Sequence, residues 1–160
     1  MGAEYGLAVT DQRHRAVFNG IWEVGGGFQL SGLYFFGSGQ RQETGCGGDR
    51  RDQQGASPPG RLCAPGFNVP GGITVPGGVL VPRNNFVQDP IHRVDMRLQQ
   101  RIPLGPVSVD GMLELFNVFN RANFQSYVLD MSSPRFGTPD ASTNISYAPR
   151  TIQLGFRVQF

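Results

Sequence analysis

From Arg150 to Phe160 the chain reads R-T-I-Q-L-G-F-R-V-Q-F, with apolar and polar side chains alternating throughout. Ile152, Leu154, Phe156, Val158 and Phe160 fall on one face, and Thr151, Gln153, Gly155, Arg157 and Gln159 on the other. A period of two predicts a strand. Its length exceeds the roughly 5–6 residues of an ordinary strand and matches the ~9–11 of a tilted membrane-spanning one. Four further segments show the same alternation less cleanly. These predict strands near 13–22, 28–36, 92–102 and 107–119, with the terminal strand near 149–160. The count is five.

The connections alternate in length. About five residues, Glu23 to Gly27, join the first two strands, and Pro103 to Pro106 join the third and fourth. The other two connections are long, near 37–91 and 120–148. The part of the first from Gly37 to Pro82 holds 12 Gly and 6 Pro. A compact soluble domain seldom tolerates two structureless loops of that size. Outer-membrane barrels alternate short periplasmic turns with long outside loops by construction. The expected fold class is therefore all-β, an antiparallel up-and-down transmembrane β-barrel segment with two long extracellular loops, in the bacterial outer membrane. With the C-terminus in the periplasm, both short links lie inside. Trp22 and Phe28 then take the periplasmic interface, and Tyr34 and Phe36 the outer one.

Composition sharpens this picture. Charged residues are 16% of the chain, against roughly 25% in an average soluble domain. A net charge of +2 gives no argument for a nucleic-acid partner. No apolar run approaches the ~18 residues of a transmembrane helix. The 160 residues would suit an eight-stranded barrel at ~20 residues per strand and connection, but the loops consume that length. Five strands cannot close, and an open edge in lipid leaves backbone groups unsatisfied.

The segments R-V-D-M-R-L-Q-Q-R-I-P-L at 93–104, E-L-F-N-V-F-N-R-A-N-F at 114–124 and P-R-T-I-Q-L-G-F-R-V-Q-F at 149–160 resemble the C-terminal barrel end of TonB-dependent receptors, with the large Oar-like members carrying a carboxypeptidase-regulatory-like domain as the nearest relatives. H-R-A-V-F-N-G-I-W at 14–22 and G-F-Q-L-S-G at 27–32 are similar to the strands preceding that end. The resemblance implies a full-length protein that takes up a solute across the outer membrane, with a plug domain, the rest of the barrel and the TonB system as partners. No signal peptide is legible in Met1–Val9, and the expectation is a C-terminal piece of a longer protein. The resemblance also implies an assembly signal read by the barrel assembly machinery in Gln153, Gly155, Val158 and Phe160, recognised by strand addition at an open edge.

Candidate chemistry is sparse. Cys46 and Cys63, with sixteen residues between them in an exported loop, point to a disulfide; a metal site lacks nearby histidines. His14 and His92 sit beside Arg at strand ends, without a nucleophile context. The Gly25–Gly27 run lacks the ending of a phosphate loop and reads as a turn. Asp49 and Asp52 fit no calcium-loop spacing. Asn144-Ile145-Ser146 is a glycosylation sequon of no consequence in a bacterium. Asp95, Arg97 and Arg101 are expected to face the lumen, opposite Asp110 and Glu114 and near Arg157. The pairs Arg97–Glu114 and Arg101–Asp110 are feasible if the Pro103–Pro106 turn sets that register. These charges are expected to form a wetted wall against the plug. No enzyme activity and no cofactor are expected. The rival reading is a surface adhesin or soluble β-domain that binds a partner through its Gly/Pro-rich loop.

Overall fold

The computed structural model describes residues 5–47, 60–140 and 146–160. Asp49, Asp52, Asn144 and Ile145, and with them the calcium and sequon readings, lie outside the described residues, as does Met1. The strands are β1 (Arg15–Gly25), β2 (Phe28–Gly37), β3 (Arg41–Gln42), β4 (Leu62–Cys63), β5 (Ile73–Val75), β6 (Gly78–Leu80), β7 (Phe86–Val87), β8 (Ile91–Leu104), β9 (Val107–Phe116) and β10 (Thr151–Gln159). No helix occurs among the described residues. The chain divides into two units.

One unit comprises His14–Ser38, Pro90–Asn123 and Ile145–Phe160. It is a single antiparallel sheet in the order β1-β2-β8-β9-β10, open at β1 and β10. The links are tight where the sequence demanded it. Gly26 and Gly27 join β1 to β2 with φ of 61° and 79°, the mirror-image turn whose twist suits a hairpin. A side chain at Gly27 would also collide with the carbonyl oxygen of Arg101. Gly105, at φ 69°, opens the β8–β9 turn. The first strand runs beyond Trp22 to Gly25 through an irregularity between Glu23 and Gly25. The fourth stops at Phe116, short of Phe119, because Asn117 takes φ of 51° and leaves extended backbone.

The register sorts side chains onto two faces. Phe18, Tyr34 and Val94 are directly opposite one another, as are Trp22, Leu30, Leu98, Leu113 and Leu154. Met96, Leu115 and Ile152 form another such row, and Ile102, Val109 and Val158 a fourth. This apolar face runs across all five strands. In a soluble protein it would be covered, at roughly 1.5–3 kcal/mol per large side chain. Here Trp22 is 65% exposed, Leu154 79% and Phe156 80%. The other face carries Asn19, Gln29, Ser31, Asp95, Arg97, Arg101, Asp110, Glu114, Gln153 and Arg157.

The second unit comprises Met1–Arg13, Gly39–Asp89 and Phe124–Asn144. The sequence reads these segments as structureless loops; the structure finds them folded. Strand β3 pairs with β7, and β4, β6 and β5 make a three-stranded sheet. The Cys46–Cys63 disulfide, with Cα atoms 5.3 Å apart, lies in a small core with Val69 and Val81. The two long connections also bond to each other. The Gly45 N–H donates to the Leu129 carbonyl at 3.1 Å, and the Met131 N–H to the Gly45 carbonyl at 2.7 Å. Buried Arg61 pairs with Glu43 at 3.2 Å and donates to the Val81 carbonyl at 3.0 Å. Period-two reading misses such structure because strands of two or three residues are too short to show a period. All the buried apolar residues among those described, Cys46, Cys63, Val69, Val81 and Tyr127, belong to this unit. The large sheet covers neither of its own faces.

Candidate functional site

The polar face is organised by β8 and β9. Arg101 lies opposite Asp110 and grips it with two hydrogen bonds, Nε to Oδ1 at 2.8 Å and a terminal nitrogen to Oδ2 at 3.1 Å. The Asp110 residue is 1% exposed. Gln159 Oε1 accepts from both Arg101 and Ser108 at 3.3 Å, which ties the end of β10 into the same cluster. Arg157 stands opposite Asp110 on β10. One step along the sheet, Arg97 lies opposite Glu114 with Nε and Oε1 at 3.5 Å, a charge contact rather than a hydrogen bond. Gln153 flanks Glu114 from β10.

At the long-loop end a third cluster forms that sequence reasoning missed. Arg93 pairs with Asp95 at 2.8 Å and lies 4.9 Å from the ring centre of Tyr147 and 5.9 Å from that of Phe116. Phe35 meets Tyr147 edge-on at 6.1 Å, and Arg15 lies over Phe35 at 5.2 Å. The two cations thus flank a pair of aromatic rings, each cation–ring contact contributing about 0.5–1 kcal/mol where solvent reaches it. Phe35 was visible in the sequence only as an apolar blemish on a polar face, and Tyr147 lies outside every strand. Between these clusters Asn19, Ser31, Asp95, Arg97, Glu114 and Phe116 help line a recess of about 390 Å³.

Asparagines fix the end of this sheet. Asn117 and Asn120 hold φ of 51° and 50°, a conformation that asparagine tolerates better than most residues. The Asn117 side chain donates to the carbonyls of Arg121 and Ala148 at 3.0 and 3.1 Å and accepts from the Arg121 N–H at 3.0 Å. Its own N–H donates to Asp95 at 2.9 Å. Buried Asn123 bonds both the N–H and the carbonyl of His92. The available signal is the spacing of three asparagines at 117, 120 and 123.

The aromatic positions fall on the apolar face, Trp22 and Phe28 toward the short turns and Tyr34 and Phe36 toward the long connections. Tyr34 stacks on Phe18 at 6.3 Å and on His92 at 6.2 Å, and its hydroxyl is 2.9 Å from His92 Nδ1. The His14 N–H donates to the Ser38 hydroxyl at 3.1 Å, and the Ser38 N–H donates to the His14 carbonyl at 2.8 Å. On β10, Val158 projects from the apolar side, and Phe160, just past the strand, is fully exposed. Gly155 lies opposite Met112, and a Cβ there would meet Met112 Cε at an ordinary 3.5 Å. No close approach among the described residues explains the glycine.

An uncovered apolar face rimmed by aromatics, backed by a charged face, is the arrangement of a strand wall with lipid on one side and water on the other. The family described as outer membrane beta barrel domain matches residues 1–153. The chain belongs to this outer-membrane β-barrel family. Neither a curated protein nor a solved structure matches it. Membership places the barrel segment in the bacterial outer membrane, so its apolar face meets lipid. The Cys46–Cys63 bridge then belongs to a region that has crossed an oxidising compartment.

Proposed function

We propose that this barrel segment is the C-terminal wall of a TonB-dependent receptor of the Oar-like type, whose full-length form takes up a solute energised by the TonB system. The observation that carries the reading is the open edge at β10. The terminal strand is paired only with β9, and it ends in the polar–glycine–apolar–aromatic set Gln153, Gly155, Val158 and Phe160. An unpaired strand edge with one apolar face is what strand addition recognises, first by the assembly machinery and then by the rest of the barrel. In lipid, the edges at β1 and β10 must be satisfied by further strands, each bare backbone group costing several kcal/mol.

In this reading Asp95, Arg97, Arg101, Asp110, Glu114 and Arg157 face the lumen and pack against a plug. Arg97 with Glu114, Arg101 with Asp110 and Asp95 with Arg93 are matched in opposite-charge pairs, which supports a structural wall over a reaction site. The chain contributes no covalent chemistry and needs no cofactor of its own.

The test uses the full-length protein in its own outer membrane. In vivo cross-linking should capture TonB, and removing Phe160 should lower the amount of receptor in the outer membrane several-fold. A protein that forms no TonB cross-link and binds its surface partner unchanged without TonB would be an adhesin instead.

A further inference from the structure

The lipid side of the sheet carries a recess where a cation and hydrogen-bonding groups stand beside apolar side chains. At the long-connection end, Tyr34, His92, Val94, Phe119 and Arg121 help line a recess of about 250 Å³. Tyr34, His92 and Val94 belong to the apolar face by register. Phe119 is 77% exposed, and Arg121 is exposed beside it. No carboxylate lines this recess. The guanidinium of Arg93 is committed to Asp95 on the opposite face. That of Arg121 makes one long contact, 3.5 Å to the Pro90 carbonyl, and meets no carboxylate among the described residues.

The turn that presents these two side chains is rigidly built. Asn117 bonds both the N–H and the carbonyl of Arg121, the Val118 N–H donates to the Val94 carbonyl at 2.9 Å, and Asn123 anchors the exit to His92. Backbone polar groups are thus satisfied inward, while a large ring and a cation are held outward at the aromatic belt. An exposed arginine beside an exposed phenylalanine at a membrane–water boundary suits an anion whose other end is hydrocarbon.

We propose that this recess binds the phosphate of an outer-leaflet lipid. Arg121 holds the phosphate, the Tyr34 hydroxyl and His92 ring supply hydrogen-bonding groups beside it, and Phe119 with the Val94–Met96–Leu98 row packs against the acyl chains. The proposal rests on the outer-membrane placement of the sheet with its long connections outside, and is independent of whether the protein performs TonB-driven uptake.

The experiment takes the full-length protein purified in non-ionic detergent and measures retained lipid by native mass spectrometry. The probes are diphosphorylated lipid A and the same lipid with its phosphates removed. Wild-type protein should retain the phosphorylated form about fivefold better, the worth of one interfacial basic residue. Arg121→Gln should bring the two to equality, and Phe119→Ser should reduce retention of both. Millimolar inorganic phosphate should leave the lipid in place. Equal retention of both lipids by the wild type, an undiminished preference in Arg121→Gln, or full displacement by inorganic phosphate would each overturn the proposal. Retained heat-modifiable migration on gel electrophoresis certifies that each variant is folded, and Arg121→Lys, keeping the charge, should keep most of the preference.

Discussion

Asn123 bonds His92 as a neighbouring strand would. Its Oδ1 accepts the His92 N–H at 3.0 Å and its Nδ2 donates to the His92 carbonyl at 2.9 Å. Strand β9 pairs with β8 only from Met96 onward, so the start of β8 has no strand on that side. One buried side chain, 2% exposed, fills the place.

Replacing Asn123 with alanine strands one donor and one acceptor in a closed site. The expected loss is about 2–3 kcal/mol. In the full-length protein it should appear as a lower midpoint of heat-modifiable migration. Asn123→Asp, which keeps the acceptor and loses the donor, should fall between. A midpoint unchanged in Asn123→Ala would show that water replaces the side chain at no cost.

The disulfide acts on the other unit. Cys46 and Cys63 are 17 positions apart, and closing a loop of that size contributes about 3 kcal/mol in the chain-entropy model. The paired variant Cys46→Ser/Cys63→Ser should cut sharply faster under limited proteolysis at intact cells within 37–91, while heat-modifiable migration of the barrel stays near wild type. A free-thiol count of zero on unreduced, unfolded protein checks the bond directly.

Acid should loosen the contact between the two long connections. The Asp130 carboxyl is held below its ordinary value chiefly by the Ser132 hydroxyl, 2.6 Å from Oδ1, with backbone N–H groups of Ser132 and Gly47 assisting against the opposing effect of burial. A depressed folded value means the carboxylate stabilises the folded form fully above about pH 3.8, and that this contribution fades as pH falls through the lower folded value. Pepsin digestion between pH 4 and pH 2 should therefore show wild-type protection over Asp130→Asn narrowing as pH drops. A constant ratio would place the stabilisation elsewhere.

Arg101 and Asp110 should behave as a unit. Asp110→Ala or Arg101→Ala should each lower barrel stability, and the double variant should cost less than the two singles together. The charge-exchanged pair should recover part of the loss, limited by Gln159 and Ser108, which are arranged for the native orientation. Additive losses would mean that Asp110 is held by its surroundings rather than by Arg101.

How much of this was legible beforehand follows from the range of the forces involved. The alternation at Thr151–Gln159 and the tight Gly-rich links are local, so the sequence alone determined the five long strands, the two hairpins and which side chains share a face. The pairing of Arg97 with Glu114 and Arg101 with Asp110 was open to the sequence only on condition of a register at Pro103–Pro106, and the structure supplies that register with a tighter turn, Leu104 lying opposite Val107. The structure alone decided what depends on segments distant in the chain. The cation–ring–ring–cation stack of Arg15, Phe35, Tyr147 and Arg93 draws on four separate segments. The folding of the Gly/Pro-rich connection depends on Gly45 meeting Leu129 and Met131, some eighty-five residues away. No periodicity encodes such contacts; they arise when chain ends brought together by the sheet leave backbone groups that must find partners.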